Sequence, residues 1–343
     1  MSVVLVTGGA GYVGSHTVNA LAAAGYDVVV YDDLSNGHAA AVERLAVAHP
    51  GRSIRLVRGD ILDARAVEGA LRDSGAVAVL HFAARLLVGE SVREPLAYYQ
   101  TNVAGALAVL GAMRQAGASR FIFSSTAATF GEPERTPIDE DHPQRPVNAY
   151  GETKLALERT LPHLERAFGL RWTVLRYFNA AGADPDGEIG EDHHPEIHLI
   201  PRAIEAVNGG RRLQVFGADY ATPDGTCLRD YVHVADLADA HVLALQFIVR
   251  TDTSTVYNLG TGRPNSVKEV IEAVEHVSGR AVPWALGPRR PGDPAVLYAR
   301  PTKAQNELGW TPRFPDLETI VRTAWDWHQS HPHGYSPSKD VLP

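Results

Sequence analysis

The stretch Val3-Val4-Leu5-Val6-Thr7-Gly8-Gly9-Ala10-Gly11-Tyr12-Val13-Gly14 decides the fold of this chain. Its first five residues form a short, apolar, β-branched run that is typical of a buried parallel strand. The glycines at 8, 11 and 14 then lead into residues 15–24, which show the apolar spacing of a helix. A strand, a glycine-rich turn and a helix in this order predict a dinucleotide site, with phosphates at the unpaired amides of the helix N-terminus.

The second strand-like run ends in two carboxylates that bear on the choice of dinucleotide. Asp32, which is followed by Asp33, lies 18 positions after Gly14. A carboxylate at about this distance binds the adenosine ribose hydroxyls and repels a 2′-phosphate, so the sequence predicts NAD rather than NADP. Asp60, after the strand-like run at 54–58, is a candidate for the adenine end of the site, and it equally fits the cap of the next helix.

Strand-like and helical patterns alternate through the first 180 residues, which predicts a Rossmann-type, doubly wound parallel sheet with helices on both faces. The predicted strands are 3–7, 27–31, 54–58, 77–82, 119–124 and 171–177, and the predicted helices after the first are 39–49, 63–74, 96–116 and 148–168. Beyond residue 180 the pattern loosens, with helices expected near 199–208, 234–249, 266–278 and 302–307. We therefore predict an NAD-binding domain at 1–180 and a smaller α/β substrate-binding lobe at 181–343, with some segments crossing between them.

Composition excludes several functional classes. The chain has 343 residues, of which 45% are hydrophobic and 21% charged, as in a globular protein of one large or two modest domains. A net charge of −8 argues against a nucleic-acid partner, and no apolar run is long enough to span a bilayer. With one cysteine, Cys227, and no secretory signal pattern, the chain is expected in a reducing cytoplasm.

Tyr150 and Lys154 form a candidate proton-transfer pair. Residues four apart lie on one face of a helix, and a nearby ammonium favours the phenolate and lowers the pKa of the phenol. Such a phenol can remove a hydroxyl proton from a substrate alcohol. A surface helix often supplies the same spacing by chance, so the pair gains its weight from the glycine-rich turn at the other end of the domain.

The glycine motif at 7–14, Ser124-Ser125-Thr126 and the Tyr150/Lys154 pair together resemble the extended short-chain dehydrogenase/reductase family. Longer stretches at 88–92, 175–179, 225–233, 257–260 and 289–293 resemble the NAD-dependent sugar-nucleotide epimerases within it, from residue 3 to about 335. The resemblance implies an isomerase that interconverts UDP-galactose and UDP-glucose through a 4-keto intermediate on tightly bound NAD. The N-acetylated pair, UDP-GlcNAc and UDP-GalNAc, would be further substrates if the pocket admits them.

Carried over position by position, the resemblance implies a catalytic hydroxyl at Thr126, a base at Tyr150 and a lysine at Lys154. Cofactor contacts, including the three glycines, would come from Gly8, Gly11, Tyr12, Val13, Gly14, Asp32, Asp33, Asn36, Asp60, Ile61, Phe82, Ala83, Ala84, Leu86, Thr101, Tyr150, Lys154 and Phe178. Two positions depart from the family pattern: Arg85 stands where relatives often have lysine, and Asp33 where some have asparagine.

The same resemblance implies a substrate site across the second lobe. Its residues would be Thr126, Tyr150, Asn179, His198, Leu199, Phe216, Arg229, Arg290, Asp293 and Leu297. The two arginines would bind the diphosphate, a task that suits guanidinium donors, although an ion pair is the ordinary role of an isolated arginine. Leu297 would close one wall of the sugar pocket, where tyrosine would crowd a 2-acetamido group and a small residue would admit it.

Other functions stay open at this point. A 4,6-dehydratase or a decarboxylase is the nearest alternative, but dehydration needs a carboxylate beside the catalytic hydroxyl, and Thr126 is followed by Ala127-Ala128-Thr129. A simple NAD-dependent dehydrogenase would form NADH in net amounts. A noncatalytic NAD-binding regulatory protein would have to retain the whole catalytic set without using it.

Two further features concern metals and partners. Glu191-Asp192-His193-His194 and His198 are close in sequence, but they lack helix-borne ligand spacing, so we predict a polar loop and no metal. The helical segments 96–116 and 148–168 could equally pack on the sheet or, as in relatives, build a homodimer interface. We expect a homodimer whose small-molecule partner is a UDP-sugar, without nucleic acid or membrane partners.

Overall fold

The predicted parallel sheet is present in the structure, a computed structural model that describes residues 2–290 and 292–336. Within these residues the strands are β1 (Val3–Thr7), β2 (Asp27–Asp32), β3 (Ile54–Arg58), β4 (Ala78–His81), β5 (Arg120–Thr126), β6 (Arg171–Tyr177), β7 (Asn179–Ala181), β8 (Leu213–Phe216), β9 (Leu228–His233), β10 (Thr255–Leu259), β11 (Pro264–Ser266), β12 (Trp284–Gly287) and β13 (Val296–Leu297). Seven of them form one sheet in the order β3-β2-β1-β4-β5-β6-β10, and every pairing in it is parallel.

The helices surround this sheet and build a second layer beside it. They are α1 (Tyr12–Ala23), α2 (Ala39–Ala48), α3 (Ala64–Ser74), α4 (Val88–Arg93), α5 (Pro95–Tyr98), α6 (Ala106–Ala116), α7 (Ala149–Phe168), α8 (Leu199–Val207), α9 (Val234–Thr251), α10 (Val267–Ser278), α11 (Thr302–Leu308) and α12 (Leu317–Ser330). In the described part of the chain, no helix is both long and apolar enough to cross a membrane.

Both faces of the large sheet are buried, because alternate residues of one strand point to opposite sides. In β4, Ala78 and Leu80 belong to one hydrophobic core, whereas Val79 between them belongs to another. A strand that is covered on both faces reads as a continuous apolar run, and this explains why the strands could be predicted from sequence.

Strand order creates the crevice that positions the site. β1 pairs with β2 on one side and with β4 on the other, so the direction of winding reverses between β1 and β4. Ligands of such sheets bind beyond the carboxyl ends of the strands at this switch point. Thr7, Asp32, His81 and Thr126 are the last residues of four of these strands and therefore meet at one edge.

Helix α7, which carries the Tyr150/Lys154 pair, has well-defined ends. The side chain of Asn148 accepts a hydrogen bond from the amide of Gly151 at 2.9 Å and caps the first turn. The helix stops at Gly169, whose φ of 75° lies in the left-handed region that glycine tolerates. These signals agree with the predicted segment 148–168.

A smaller group of strands is built around β9, which pairs with β7, β11 and β13, while β8 pairs with β12. A third hydrophobic core joins α8, α10 and α12 beneath them. The chain crosses back to the large sheet through β10, which pairs with β6, and through α9, which packs on α1. The division into domains at residue 180 stays a prediction, and residues 1, 291 and 337–343 of those ranges lie outside the described residues.

The structure differs from the sequence prediction after β4 and in the second lobe. The segment predicted as one helix over 96–116 consists of α5, a π-helical turn (Tyr99–Gly105) and α6. A Cβ at Gly105 would lie 2.6 Å from Cδ1 of Ile61, so this turn packs closely on the neighbouring segment. The short helix α4 was not predicted from the sequence, nor were α12 and the strands from β7 onward, since short elements in loop-rich segments have weak periodicity.

Candidate active site

The turn between β1 and α1 has the geometry of a phosphate-binding site. A Cβ at Gly14 would lie 2.1 Å from the carbonyl oxygen of Gly8, so only glycine allows the helix to start this close to the strand. A Cβ at Gly11 would approach only one atom, at 3.4 Å, which leaves space for a ligand against the backbone. α1 has no side-chain cap, so its first amides are available to an anion.

Asp32 lies where a ribose carboxylate is expected. One of its oxygens accepts a hydrogen bond from the amide of Ala10 at 3.0 Å, and the other from the amide of Leu34 at 2.9 Å. Burial raises the pKa of Asp32, although the two backbone donors oppose this effect. The backbone bonds fix both oxygens in place and leave each with a further lone pair for a hydroxyl. The residues at this sheet edge therefore fit an NAD molecule.

The other predicted cofactor residues differ in their exposure and in the groups that they contact. Asp33 and Asn36 are exposed beside Asp32, and Asp60 accepts the amide of Leu62 at 2.8 Å. The ring of Phe82 packs 4.7 Å from that of His241. Tyr12 donates its hydroxyl to the carbonyl of Gly182 at 2.6 Å. The phenol of Tyr12 is thus used in packing, and its backbone is the part that lies at the turn.

Asn102 joins the loop after β4 to α7. Its side-chain oxygen accepts the amide of Arg85 at 2.8 Å, and its side-chain nitrogen donates to the carbonyl of Arg85 at 3.0 Å and to the hydroxyl of Thr153 at 3.1 Å. Asn102 was not predicted from the sequence, where its only signal is its position beside Thr101. The guanidinium of Arg85 itself binds Glu90 at 3.1 Å.

Thr126, Tyr150 and Lys154 come together where β5 ends and α7 begins. The pKa of Tyr150 is raised by burial and lowered in part by a side-chain hydrogen bond with Thr126. The ammonium of Lys154 donates to the carbonyl of Ser124 at 2.9 Å, and burial lowers the pKa of Lys154 to about 7. The lysine therefore binds the strand. The expected lowering of the phenol pKa by Lys154 is not observed: burial raises the pKa of Tyr150, and the hydrogen bond with Thr126 opposes this rise in part.

A buried ion pair supports this group from below. Glu158, one helical turn after Lys154, accepts from Arg176 at 2.7 Å and from the hydroxyl of Ser125 at 2.5 Å. Both charged side chains are less than a tenth exposed. Because Ser125 precedes Thr126, the pair fixes the end of β5 relative to α7.

Four of the predicted substrate residues of the second lobe form two pairs. Arg229 pairs with Asp293, and Arg290 pairs with Phe216. Arg229, on β9, is buried and forms an ion pair with Asp293, and it also donates to the carbonyl of Leu228 at 2.8 Å. The guanidinium of Arg290 lies 3.8 Å from the ring centroid of Phe216. Pro291, which belongs to the stretch 289–293 that resembles the family, lies outside the described residues.

Nearer to the catalytic group, Leu297 packs with Ala127 and Phe178 in one small core. Because Ala127 directly follows Thr126, this contact places Leu297 close to the catalytic end of β5. Asn179, next to Phe178, pairs with Tyr231 of β9 and so joins the two groups of strands.

The loop before α8 brings four titratable residues together. Glu191, His193, Glu196 and His198 each direct one ligand-type atom to a common point, with all four atoms within 4.8 Å of one another. His194, which the sequence analysis grouped with them, is instead exposed, and Asp192 accepts the amide of Tyr335 at 2.9 Å. Glu196 was not predicted from the sequence as a member of this group. The expected polar loop is therefore an organised cluster, directly before Leu199.

The sheet edge that offers a dinucleotide site also presents Tyr150 and Lys154 on α7, and this combination defines the class of extended short-chain dehydrogenases/reductases. Sequence comparison matches residues 4–260 to the NAD dependent epimerase/dehydratase family, so the chain belongs to that family.

Individual relatives agree with this assignment along nearly the whole chain. A UDP-glucose 4-epimerase of Halalkalibacterium halodurans is 50% identical over 334 residues, which are 97% of each protein. The crystal structure of UDP-glucose 4-epimerase from Brucella ovis in complex with NAD is 49% identical, with a TM-score of 0.90 and coverage of 95% of this chain and 98% of that one. A UDP-glucose 4-epimerase structure from Stenotrophomonas maltophila with NAD and formylated UDP-arabinopyranose has 42% identity, a TM-score of 0.93 and coverage of 97% and 99%.

Proposed function

We propose that this protein is an NAD-dependent UDP-glucose 4-epimerase that interconverts UDP-galactose and UDP-glucose. The observation that carries the proposal is the meeting of Thr126, at the end of β5, with Tyr150 and Lys154 of α7, whose ammonium lies 2.9 Å from the carbonyl of Ser124, at the sheet edge that fits NAD. Relatives of this name match nearly the full length of the chain, and two solved relatives contain NAD.

The side chains at this edge supply proton transfer at the sugar 4-hydroxyl. NAD held at this edge would supply a reversible hydride acceptor for the sugar carbon. Tyr150 takes the proton of the 4-hydroxyl, and Thr126 holds the same oxygen by a hydrogen bond. Lys154 lies one turn further along α7, where its ammonium would bind a ribose hydroxyl of the cofactor. Asp32 and the turn at Gly11 hold the dinucleotide so that it stays bound through turnover.

Inversion requires the 4-keto sugar to turn over while the nucleotide stays fixed. Strong contacts should therefore lie at the diphosphate and the nucleoside, and few directional contacts at the hexose. Arg229 and Arg290 supply the cationic donors, and Phe216, beneath Arg290, offers a flat apolar surface for uracil. Asp293, which pairs with Arg229, would also bind a ribose. Leu199, Asn179 and His198 would belong to the same substrate site.

The turn after Thr126 argues against dehydration. Residues Ala127–Thr129 form a single 3₁₀ turn, in which the hydroxyl of Thr129 donates to the carbonyl of Thr126 at 2.9 Å. No side chain of this turn is acidic, whereas elimination of water needs an acid beside the catalytic hydroxyl. A noncatalytic NAD-binding role leaves the Thr126–Tyr150 contact without a purpose.

One assay tests the proposal directly. The purified protein is incubated with UDP-galactose without added NAD, and the products are separated by chromatography. We expect UDP-glucose, and we expect nicotinamide dinucleotide in the supernatant after denaturation. Formation of NADH in net amounts would indicate a conventional dehydrogenase, and no conversion with bound NAD would indicate a regulatory protein.

Leu297 is proposed to set the breadth for N-acetylated substrates. Its side chain is half-buried against the small core that contains Phe178 and Ala127, and so forms part of the wall near Thr126. Leucine is smaller than tyrosine and larger than alanine, so we propose UDP-glucose and UDP-galactose as the principal substrates, with weaker turnover of UDP-GlcNAc and UDP-GalNAc.

A homodimer is proposed on the apolar surface of the segment around α4 to α6. The large apolar side chains exposed there are Val88, Val92, Leu96, Tyr99 and Leu107, of which Leu96 is 84% exposed. A group of this kind is typical of a subunit interface. We also assign the enzyme to the cytoplasm, because its one cysteine, Cys227, is free and buried.

A further inference from the structure

The cluster of Glu191, His193, Glu196 and His198 has the geometry of a metal site. Nδ1 of His198 lies 2.7 Å from Glu191 and 3.0 Å from Glu196. Nδ1 of His193 lies 3.1 Å from Glu191 and 3.8 Å from Glu196. Zinc bonds of about 2.0–2.2 Å place tetrahedral ligand atoms about 3.3–3.6 Å apart. Three of the observed separations are shorter than this and one is longer, so binding of the ion would move the ligand atoms by about 0.2–0.9 Å.

Charge compensation distinguishes a metal from a plain hydrogen-bonded group. The side chains of Glu191 and Glu196 are 4% and 6% exposed, and in the described part of the chain their ion pairs run to the two imidazoles. Buried carboxylates need a compensating charge, which two protonated imidazoles or one divalent cation can supply.

The arrangement of the rings favours the cation. Each Nδ1 faces both carboxylates, so the four atoms converge on one point and do not form two separate pairs. Two imidazolium rings would also have to stay charged with their centroids 5.3 Å apart. One divalent ion removes this repulsion, balances both carboxylates and leaves the histidines neutral.

The second layer around the cluster already holds the ligands in place. The same oxygen of Glu196 accepts the amides of Ile197 and His198, at 2.7 and 2.8 Å. The ring of His193 lies edge-on to that of Tyr12, with centroids 6.1 Å apart. Ligand side chains that are held in place by backbone hydrogen bonds are characteristic of structural metal sites.

We propose that Glu191, His193, Glu196 and His198 bind one structural Zn²⁺ ion. Two imidazoles and two carboxylates suit zinc, which accepts nitrogen and oxygen ligands in tetrahedral geometry. The ion closes the loop that leads into α8 and joins it to the start of α1 through His193 and Tyr12. Because the metal takes Nδ1 of His198, the proton of that ring is held at Nε2, which is left to donate to a polar ligand.

The test measures zinc in the purified full-length protein after growth with added Zn²⁺, by elemental mass spectrometry. We expect about one zinc per chain in the wild type, as a closed four-ligand site retains its metal. His193→Asn and Glu196→Gln should retain less than about a tenth of this. His194→Asn, at an exposed neighbouring position, is the matched control and should retain zinc as the wild type does.

A chelator gives a second readout that does not depend on the variants folding. Its addition should lower the melting temperature of the wild type and of His194→Asn, and Zn²⁺ should restore both. A wild type that binds no zinc, with a melting temperature indifferent to chelator, overturns the proposal in favour of two protonated histidines. Equal zinc in the wild type, His193→Asn and Glu196→Gln, as from an adventitious ion only, overturns it as well. These outcomes are independent of epimerase activity.

Discussion

The ammonium nitrogen of Lys154 lies 2.9 Å from the carbonyl oxygen of Ser124. This bond ties α7 to β5 two residues before Thr126, and so fixes Tyr150, one turn earlier on the helix, against the threonine hydroxyl. The lysine thereby positions the proton-transfer pair as well as supplying a cation beside it.

Replacing Tyr150 with phenylalanine should remove the proton acceptor and leave the fold intact. We expect kcat to fall by about 10²- to 10⁴-fold, the usual contribution of general acid–base catalysis. UDP binding by calorimetry should be unchanged, because Arg229 and Arg290 lie in the other lobe. Thr126→Ser should keep most activity and Thr126→Val should lose it. Turnover of Tyr150→Phe close to that of the wild type would refute the assignment.

Glu158→Gln should destabilise the protein strongly, because it leaves the buried guanidinium of Arg176 without its carboxylate. The expected loss in the free energy of unfolding is about 3 kcal/mol, measured by denaturant titration. Glu165→Gln, on the same helix, breaks a partly exposed pair with Arg171 and should cost less than about 1 kcal/mol. Similar losses in the free energy of unfolding for both variants would show that the buried pair stabilises the protein no more than the partly exposed pair does.

His241 should make the protein sensitive to acid. Burial lowers the pKa of His241 to about 4, from an ordinary value near 6.5, so below pH 6.5 the unfolded chain takes up a proton that the folded chain does not. Stability should therefore fall as the pH falls from 6.5 toward 4. His241→Leu should reduce this slope by up to about 1.4 kcal/mol per pH unit, as measured by unfolding at several pH values. An unchanged slope would show that His241 is not a source of the acid sensitivity.

Leu297 variants should change the preference between plain and N-acetylated UDP-sugars. Leu297→Ala should raise the kcat/KM for UDP-GalNAc relative to UDP-galactose by about tenfold or more, since it enlarges the wall near Thr126. Leu297→Tyr should lower the same ratio. The measurement is kcat/KM for both substrate pairs with the wild type, Leu297→Ala and Leu297→Tyr. The same ratio of kcat/KM in all three proteins would exclude Leu297 from the pocket wall.

Leu96→Asp should produce a monomer if the exposed apolar surface is the subunit interface, because a carboxylate there would be desolvated on association. Light scattering coupled to size-exclusion chromatography gives the mass. Val47→Asp is the matched control, since Val47 is 80% exposed on α2 and should not affect assembly. A Leu96→Asp dimer, or a wild-type monomer, would argue against this interface.

Much of the sheet could be predicted from local patterns. Strands covered on both faces are continuous apolar runs, so β1 to β6 were predicted within one or two residues. β10 was missed, because its place beside β6 depends on a crossing of the chain from the second lobe. Asn102 was missed for a similar reason: its two bonds to Arg85 join positions that are 17 residues apart.

The glycine spacing, the position of Asp32 and the Tyr150/Lys154 interval are short-range properties of the chain, and they alone pointed to a dinucleotide and a proton-transfer pair. Side-chain partners were decided by folding, since a pairing depends on which groups meet in space and on how much water is excluded. Folding directed Lys154 to Ser124, paired Arg229 with Asp293, and added Glu196 to a cluster from which Asp192 and His194 turn away.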